Sequence, residues 1–317
     1  MIPQFIRKFK PSYEFYNFFK RSELEHNLAK YKKYGINKKY YSSVSSNDFI
    51  GLDSPLNVHD KLNTRDTLPA QAAFQNLPIN RQEELLSWSD DGYVILKKFF
   101  SEERVQQIND EVEELDKSKK ANWVGNKMMF AIHYSDIILR ASADKELMNI
   151  IDLIMGKKMQ LFQSINFLSG SEQRTHSDSF HMSTFPYGNI IAGWIALEKT
   201  TAENGPLHYY VGSHKLPYLV NKDFDNAGSK YFLGNKKYSD YEDKIATVLA
   251  ENNFERKILL AEPGDVLLWH SNLLHGGEPH HDKQATRKSL VTHYYAEDAI
   301  CYHEVTQRPT IKRKLDL

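Results

Sequence analysis

Apolar residues at Val105, Ile108, Val112 and Leu115 follow the three-and-four spacing that places side chains on one helical face. Ser101 followed by Glu102 and Glu103 supplies a cap and first-turn acid, so this helix is predicted to run to about Lys117. Arg81 to Asp90 and Asp144 to Leu153 are predicted as further helices. Between them Tyr93–Leu96 has the β-branched, apolar content of a strand. After Gly156 short strand-like runs dominate: Met159–Leu168, Asn189–Glu198, Leu207–Val211, Lys257–Ala261, Val266–His270 and Lys288–Tyr295. Turn signals at Asn204-Gly-Pro206, Pro263-Gly-Asp265 and His275-Gly-Gly277 separate several of them. Many short strands behind a helical front predict a mainly β fold, an antiparallel barrel or jelly roll with helical buttresses. A polar stretch at 221–253, rich in Lys, Asp and Tyr, is expected to be a lid or a surface excursion. There is no internal repeat.

Residues 1–80 have a different texture. Basic residues outnumber acidic ones up to Tyr40, and Phe5, Phe9, Tyr13, Tyr16 and Phe19 are interleaved at spacings of three and four. Such a segment either lies on an anionic membrane or acidic partner, or docks its aromatics on the main body with the lysines in water. Tyr41 to Asp48 reads as a loop and Asp53-Ser-Pro55 as a turn.

Composition narrows the class. The chain has 317 residues, enough for one large domain, here 81–317, with an N-terminal extension. Its 41 basic and 41 acidic residues balance, which argues against a general nucleic-acid binder. One cysteine, Cys301, excludes an intramolecular disulfide framework and a multi-thiolate metal site. No apolar run is long enough to span a membrane, and the start lacks the apolar core of a signal peptide. A cytoplasmic location is the expectation.

Two segments carry the candidate chemistry, Thr175-His176-Ser177-Asp178 and Trp269-His270-Ser271-Asn272-Leu273-Leu274-His275-Gly276-Gly277. In extended backbone His176 and Asp178 point to one side and can share an ion. His275 from another strand would complete a two-histidine, one-carboxylate face. That face suits a non-haem Fe(II) oxygenase, with open positions for a chelating co-substrate and O2. Arg287 adds a guanidinium fork for a distal carboxylate.

Further blocks extend the pattern: Asp91-Gly-Tyr-Val-Ile-Leu…Ser101-Glu-Glu, Gly193-Trp-Ile-Ala-Leu-Glu198, Asn204-Gly-Pro-Leu, Gly212-Ser-His-Lys215, Pro263-Gly-Asp-Val and Arg287-Lys-Ser289. Together, from about Arg81 to Glu297, the chain resembles the phytanoyl-CoA dioxygenase family. The resemblance implies a double-stranded β-helix fold with Fe(II), 2-oxoglutarate and O2. It makes His176, Asp178 and His275 the iron ligands and Arg287 the anchor of the 2-oxoglutarate C5 carboxylate. Ser289 becomes its hydrogen-bonding helper and Trp194 a pocket wall. His270 either touches the co-substrate or sits in the barrel wall. Phe180, His181, Met182 and Tyr187 either line the substrate mouth or pack the loop, while His208 and His214 are expected to be structural. Halogenases of related architecture lack the carboxylate that Asp178 provides, so hydroxylation of an unactivated C–H bond is expected, with succinate and CO2 as co-products. The substrate is left as a small molecule or a lipid-like one, and peripheral membrane contact through the N-terminal segment stays open. Two alternatives also stay open: a metal-dependent cupin-like enzyme without 2-oxoglutarate, and a non-catalytic ligand- or membrane-binding barrel.

Overall fold

The computed structural model describes residues 8–52 and 63–315. The Asp53–Pro55 turn and the first seven residues, with Phe5, lie outside the described residues. The described strands, in chain order, are β1 (Tyr93–Leu96), β2 (Asn122–Val124), β3 (Lys127–Met129), β4 (Met159–Phe167), β5 (Ser183–Phe185), β6 (Ile190–Ala196) and β7 (Leu207–Tyr210). They continue with β8 (Arg256–Ile258), β9 (Val266–His270), β10 (His275–Gly277), β11 (Ser289–Ala296), β12 (Ile300–His303) and β13 (Arg308–Pro309). A large sheet has the order β1-β9-β6-β11-β4-β3-β2, and two small sheets have the orders β10-β7-β8 and β13-β12-β5. The strands are joined antiparallel, so the fold is a mainly β jelly roll with helical buttresses.

Period-two alternation divides the large sheet. Ile191, Ile195, Val266, Leu268, Leu290 and Tyr294 face the helices, where they meet Val105, Ile108, Val112, Ile150 and Ile154. Ala192, Trp194, Leu267, Trp269 and Val291 face inward, toward Tyr209, Leu259 and Leu273 on the side of the small sheet. The inner face is where the site is built.

The helix Glu102–Lys117 begins as expected, with the Ser101 side chain accepting from the Arg104 amide. The second helix covers Lys145–Met155, capped by Asp144 and stopped by Gly156 in the left-handed region at φ 62°. In place of one helix at 81–90 there are two short ones, Ile79–Leu85 and Trp88–Asp91; the break between them lets Leu85 and Trp88 both enter the core. The hairpin β2–β3, the helix Asp136–Ser142 and strands β5 and β12 had no strong pattern because each is very short. The His275-Gly-Gly277 segment, expected as a turn, is strand β10, paired with β7.

The front segment folds against the body at several points. Phe49 stacks on Phe185 at 4.3 Å, and Lys10 and Leu233 hydrogen-bond across to Tyr231 and Lys8 in a two-stranded contact. The Tyr41–Asp48 loop ends in a tight turn, and the buried Glu304 carboxylate accepts from the Ser46 amide and hydroxyl and from the Asn221 amide. Within 221–253 the helix Tyr238–Glu251 packs Tyr241 and Ile245 inward. Among the described residues no helix is long and apolar enough to cross a membrane.

Candidate metal and co-substrate site

Extended backbone at Ser177 (φ −118°, ψ 138°) sits between His176 and Asp178, after which the chain turns immediately at Asp178–Phe180. His176 pairs with His275 through a single bridge, each amide donating to the other's carbonyl at 2.9 Å. This pairing requires the strand carrying His275 to pass very close to residues 171–173. A Cβ on Gly276 would lie 2.8 Å from the Gln173 carbonyl oxygen, and one on Gly277 would lie 2.7 Å from Ser171 Oγ. The two glycines therefore act by their lack of a side chain, in a strand.

His176, Asp178 and His275 are all buried, and one ligand atom from each lies within 4.8 Å of the others. Asp178 Oδ1 is 3.9 Å from His176 Nε2 and 3.7 Å from His275 Nε2. The opposite nitrogens are occupied: His176 Nδ1 donates to the Arg174 carbonyl and His275 Nδ1 to the Leu273 carbonyl, each at 2.9 Å. With Nδ1 protonated, both Nε2 lone pairs turn toward the carboxylate, as metal ligation requires. Burial pushes His176 down to about 3, and His275 beside it adds to the shift, so the imidazole is neutral. Burial opposes ionisation of Asp178, yet His275 and His293 hold its carboxyl well below the ordinary carboxylate range. Two imidazole nitrogens and one carboxylate fit a divalent iron.

The second oxygen of Asp178 is held by Trp269, whose indole Nε1 donates at 2.9 Å. His293 approaches the same oxygen at 3.8 Å. Arg287 lies further along the same cavity and is 4% exposed. Its guanidinium donates to Ser289 Oγ at 2.9 Å and lies 5.6 Å from the ring centres of Phe167 and Trp194. Among the described residues it has no carboxylate partner within ion-pair distance, and its Nε has no hydrogen-bond partner. Burial lowers it to about 10, still charged at neutral pH. A buried cation in this state calls for an anionic ligand, and a dicarboxylate chelated at the iron fits that need.

The cavity holds about 500 Å³ and brings together His176, Asp178, His275, Arg287, Trp194, His181 and Met182. Three expected residues are elsewhere. His270 shares the outward face of β9 with Val266 and Leu268, so it points away from the cavity toward His214 and Trp88, and Trp269 takes the inward place. Phe180 stacks on Tyr241 at 3.7 Å in a separate apolar cluster. Tyr187 stacks on Tyr218 at 5.0 Å and does not line the cavity. His208 braces the site from behind, between Thr175 Oγ1 at 2.8 Å and the Glu278 carboxylate.

Sequence reasoning missed Trp269, His293, Gln163, Lys127 and His303, all of which line the cavity. For His293 the signal was present. Counting by twos from Arg287 along β11 gives Ser289, Val291 and His293 on one face. Trp269 follows from the same count on β9, whereas Lys127 and His303 come from strands too short to show a pattern.

Comparison with known proteins agrees with this geometry. The profile of the family described as Phytanoyl-CoA dioxygenase (PhyH) matches residues 88–289. A probable alpha-ketoglutarate-dependent hypophosphite dioxygenase of Stutzerimonas stutzeri is 23% identical over 68% of this chain and 79% of its own. The peroxisomal phytanoyl-CoA dioxygenase of Bos taurus is 21% identical over 76% of this chain and 78% of its own. Among solved structures, the epimerase SnoN of nogalamycin biosynthesis, in complex with Fe3+, alpha ketoglutarate and nogalamycin RO, has a TM-score of 0.56 at 18% identity, covering 73% of this chain and 88% of its own. With a His-Asp-His cluster and, in the same cavity, a buried arginine that has no carboxylate partner among the described residues, the chain belongs to the phytanoyl-CoA dioxygenase family and is an Fe(II)- and 2-oxoglutarate-dependent dioxygenase.

Proposed function

We propose that this protein hydroxylates a C–H bond of a lipid-like or other small organic substrate, with His176, Asp178 and His275 holding iron and Arg287 holding the far carboxylate of 2-oxoglutarate. The observation that carries the reading is the buried, carboxylate-free Arg287 in the same cavity as the three ligands. When bound, iron and 2-oxoglutarate supply the oxidising chemistry: O2 is consumed, the co-substrate becomes succinate and CO2, and the substrate gains one oxygen atom. Ser289 fixes one arm of the guanidinium, and the Phe167 and Trp194 rings fix its plane. Trp269 holds Asp178 in one rotamer, and that carboxylate supports oxygen insertion over halogenation. The buried surroundings exclude water from the reacting region.

The substrate side of the cavity carries Gln163, His181, Met182, His293 and His303. Gln163 Oε1 and His293 Nδ1 are buried without a hydrogen-bond partner among the described residues, which supports a polar group on the substrate there. Burial keeps His181 neutral, down to about 4, with the charge of Asp178 opposing that shift. A second cavity of about 810 Å³ shares Gln163, Met182 and His303 with the first and adds Met148, Met159, Leu161 and Phe162. That continuation supports a substrate with an extended apolar part, toward the lipid-like end of the range.

The test begins with anaerobic addition of Fe(II) and 2-oxoglutarate to metal-free protein, read by the visible charge-transfer band of the chelate. The band is expected only when both are present. In Arg287→Ala the 2-oxoglutarate concentration needed is expected to rise on the order of 100-fold or more, with iron binding retained. Substrates are then screened by succinate release coupled to a hydroxylated product. A band with unchanged 2-oxoglutarate dependence in Arg287→Ala would overturn the assignment of Arg287 as the carboxylate anchor.

A further inference from the structure

We propose that the helix Lys10–Phe19, with the turn that follows it, is a docking face for an anionic lipid surface. The helix is presented inside out. Its buried residue is Asn17, whose side-chain amide donates to the Tyr41 carbonyl at 2.9 Å. Phe15 is 68% exposed, Phe19 66%, Tyr16 54% and Phe18 43%, and Leu28 nearby is 57% exposed. Of the neighbouring aromatics, Phe9 docks on Phe232 and Tyr13 lies under Arg308, so the docked arrangement holds for these two and not for Tyr16 and Phe19.

The exposed rings form a continuous patch. Phe19 contacts Phe15 at 4.9 Å and Phe18 at 5.7 Å, and Phe18 contacts Tyr41 at 5.9 Å. Cations sit on the patch itself: the Arg21 guanidinium is 4.5 Å from the Phe18 ring centre, and Lys39 Nζ is 5.8 Å from that of Tyr41. From Lys8 to Lys39 there are nine basic residues against three acidic ones, in a chain whose total charge is balanced. Aromatic rings interleaved with lysine and arginine suit the headgroup layer, where rings take the apolar boundary and cations the phosphates. A symmetric contact between two copies would bring cation against cation, so the charge favours an anionic partner.

The wall of the second cavity reaches the turn that follows this helix. The Lys312 amide donates to the Glu23 carbonyl at 3.0 Å, in the turn directly after the aromatic helix. The exposed Lys312, Arg313 and Lys314 that follow form part of that cavity's wall. Docking here would bring that basic wall close to the lipid surface; any use of it as a substrate path rests on the proposed function, whereas the docking does not.

The experiment is sedimentation of the full chain with vesicles of phosphatidylcholine alone and of phosphatidylcholine containing about one third phosphatidylserine. The protein is expected to sediment with the anionic vesicles and not with the neutral ones, and to be released by salt. Phe15→Ser/Phe19→Ser and, separately, Arg21→Glu/Lys39→Glu are each expected to weaken binding roughly tenfold or more. Each variant should keep the iron and 2-oxoglutarate band, which separates lost docking from lost folding. No sedimentation, equal sedimentation with both vesicle types, or unchanged binding by both variants would overturn the proposal. A wild-type dimer that Phe15→Ser/Phe19→Ser dissociates, without vesicle binding, would overturn it in favour of a second copy of this chain.

Discussion

At the scale of single residues, the site depends on groups that touch a ligand without being one. Asp178 has two oxygens and two tasks: Oδ1 faces both histidines, and Oδ2 accepts from Trp269 Nε1. Removing that donor frees the carboxylate to rotate and leaves one oxygen without its partner in a buried place. Trp269→Phe keeps most of the ring volume and deletes the hydrogen bond. Iron affinity is expected to fall about 10- to 100-fold, read by competition with a chelator, while 2-oxoglutarate binding to the iron-saturated variant stays close to wild type. An unchanged iron affinity would mean that His293 alone suffices to orient Asp178. The histidines show the same economy of position, since each ligand nitrogen is aimed by a backbone carbonyl on the opposite side of its ring.

At the scale of elements, the short strand β10 exists because two residues beside His275 have no side chains. Gly276→Ala would place a methyl group 2.8 Å from the Gln173 carbonyl oxygen and equally close to the His208 ring. The backbone contact cannot yield as a flexible side chain would, so the strand must shift. A loss of roughly 1–3 kcal/mol in unfolding free energy is expected, read by chemical denaturation. Iron affinity should fall with it, because the His176–His275 bridge shifts together with β10. This strand also shows where the sequence stops speaking. His-Gly-Gly reads as a turn from propensity, and only its pairing with β7, with residues 171–173 close by, makes it a strand. The helix Glu102–Lys117 and strands β6, β9 and β11 were legible because each is long enough to repeat a face several times. β5 and β12 have three and four residues and make their pairs through distant partners. The gathering of His176, Asp178, His275 and Arg287 in one cavity was legible from residue types at a spacing. The substrate-side residues were not, because Phe180 and Tyr187 are aromatics near the ligand turn whose direction only the packed structure decides.

At the scale of the whole molecule, several histidines are packed away from water, and two lie outside the metal cluster on the far side of β9. His270 is 2% exposed, beside Trp88, His214 and Tyr218. Burial first, and then the neighbouring His214, lower it to about 3. Burial first, and then Lys215, lower His214 to about 4, against the opposing effects of Ser89 and Asp90. In the unfolded chain both return to about 6.5. The unfolded state therefore binds protons that the folded state refuses, and stability falls as the solution is acidified. The contribution of these groups is fully present above about pH 6.5 and is lost progressively toward pH 4 and 3. Each can add up to about 1.4 kcal/mol per pH unit in that window. Metal-free protein is expected to unfold at clearly lower urea at pH 5.5 than at pH 7.5. His270→Leu removes one titrating group from the outward face of β9 and leaves the inward residues of the cavity in place. Whatever it does to stability at pH 7.5, where the Asn272 amide loses its acceptor, its decline between the two pH values should be shallower than that of wild type. Parallel declines would mean that the acid sensitivity arises elsewhere, in the metal-site histidines or in the carboxylates.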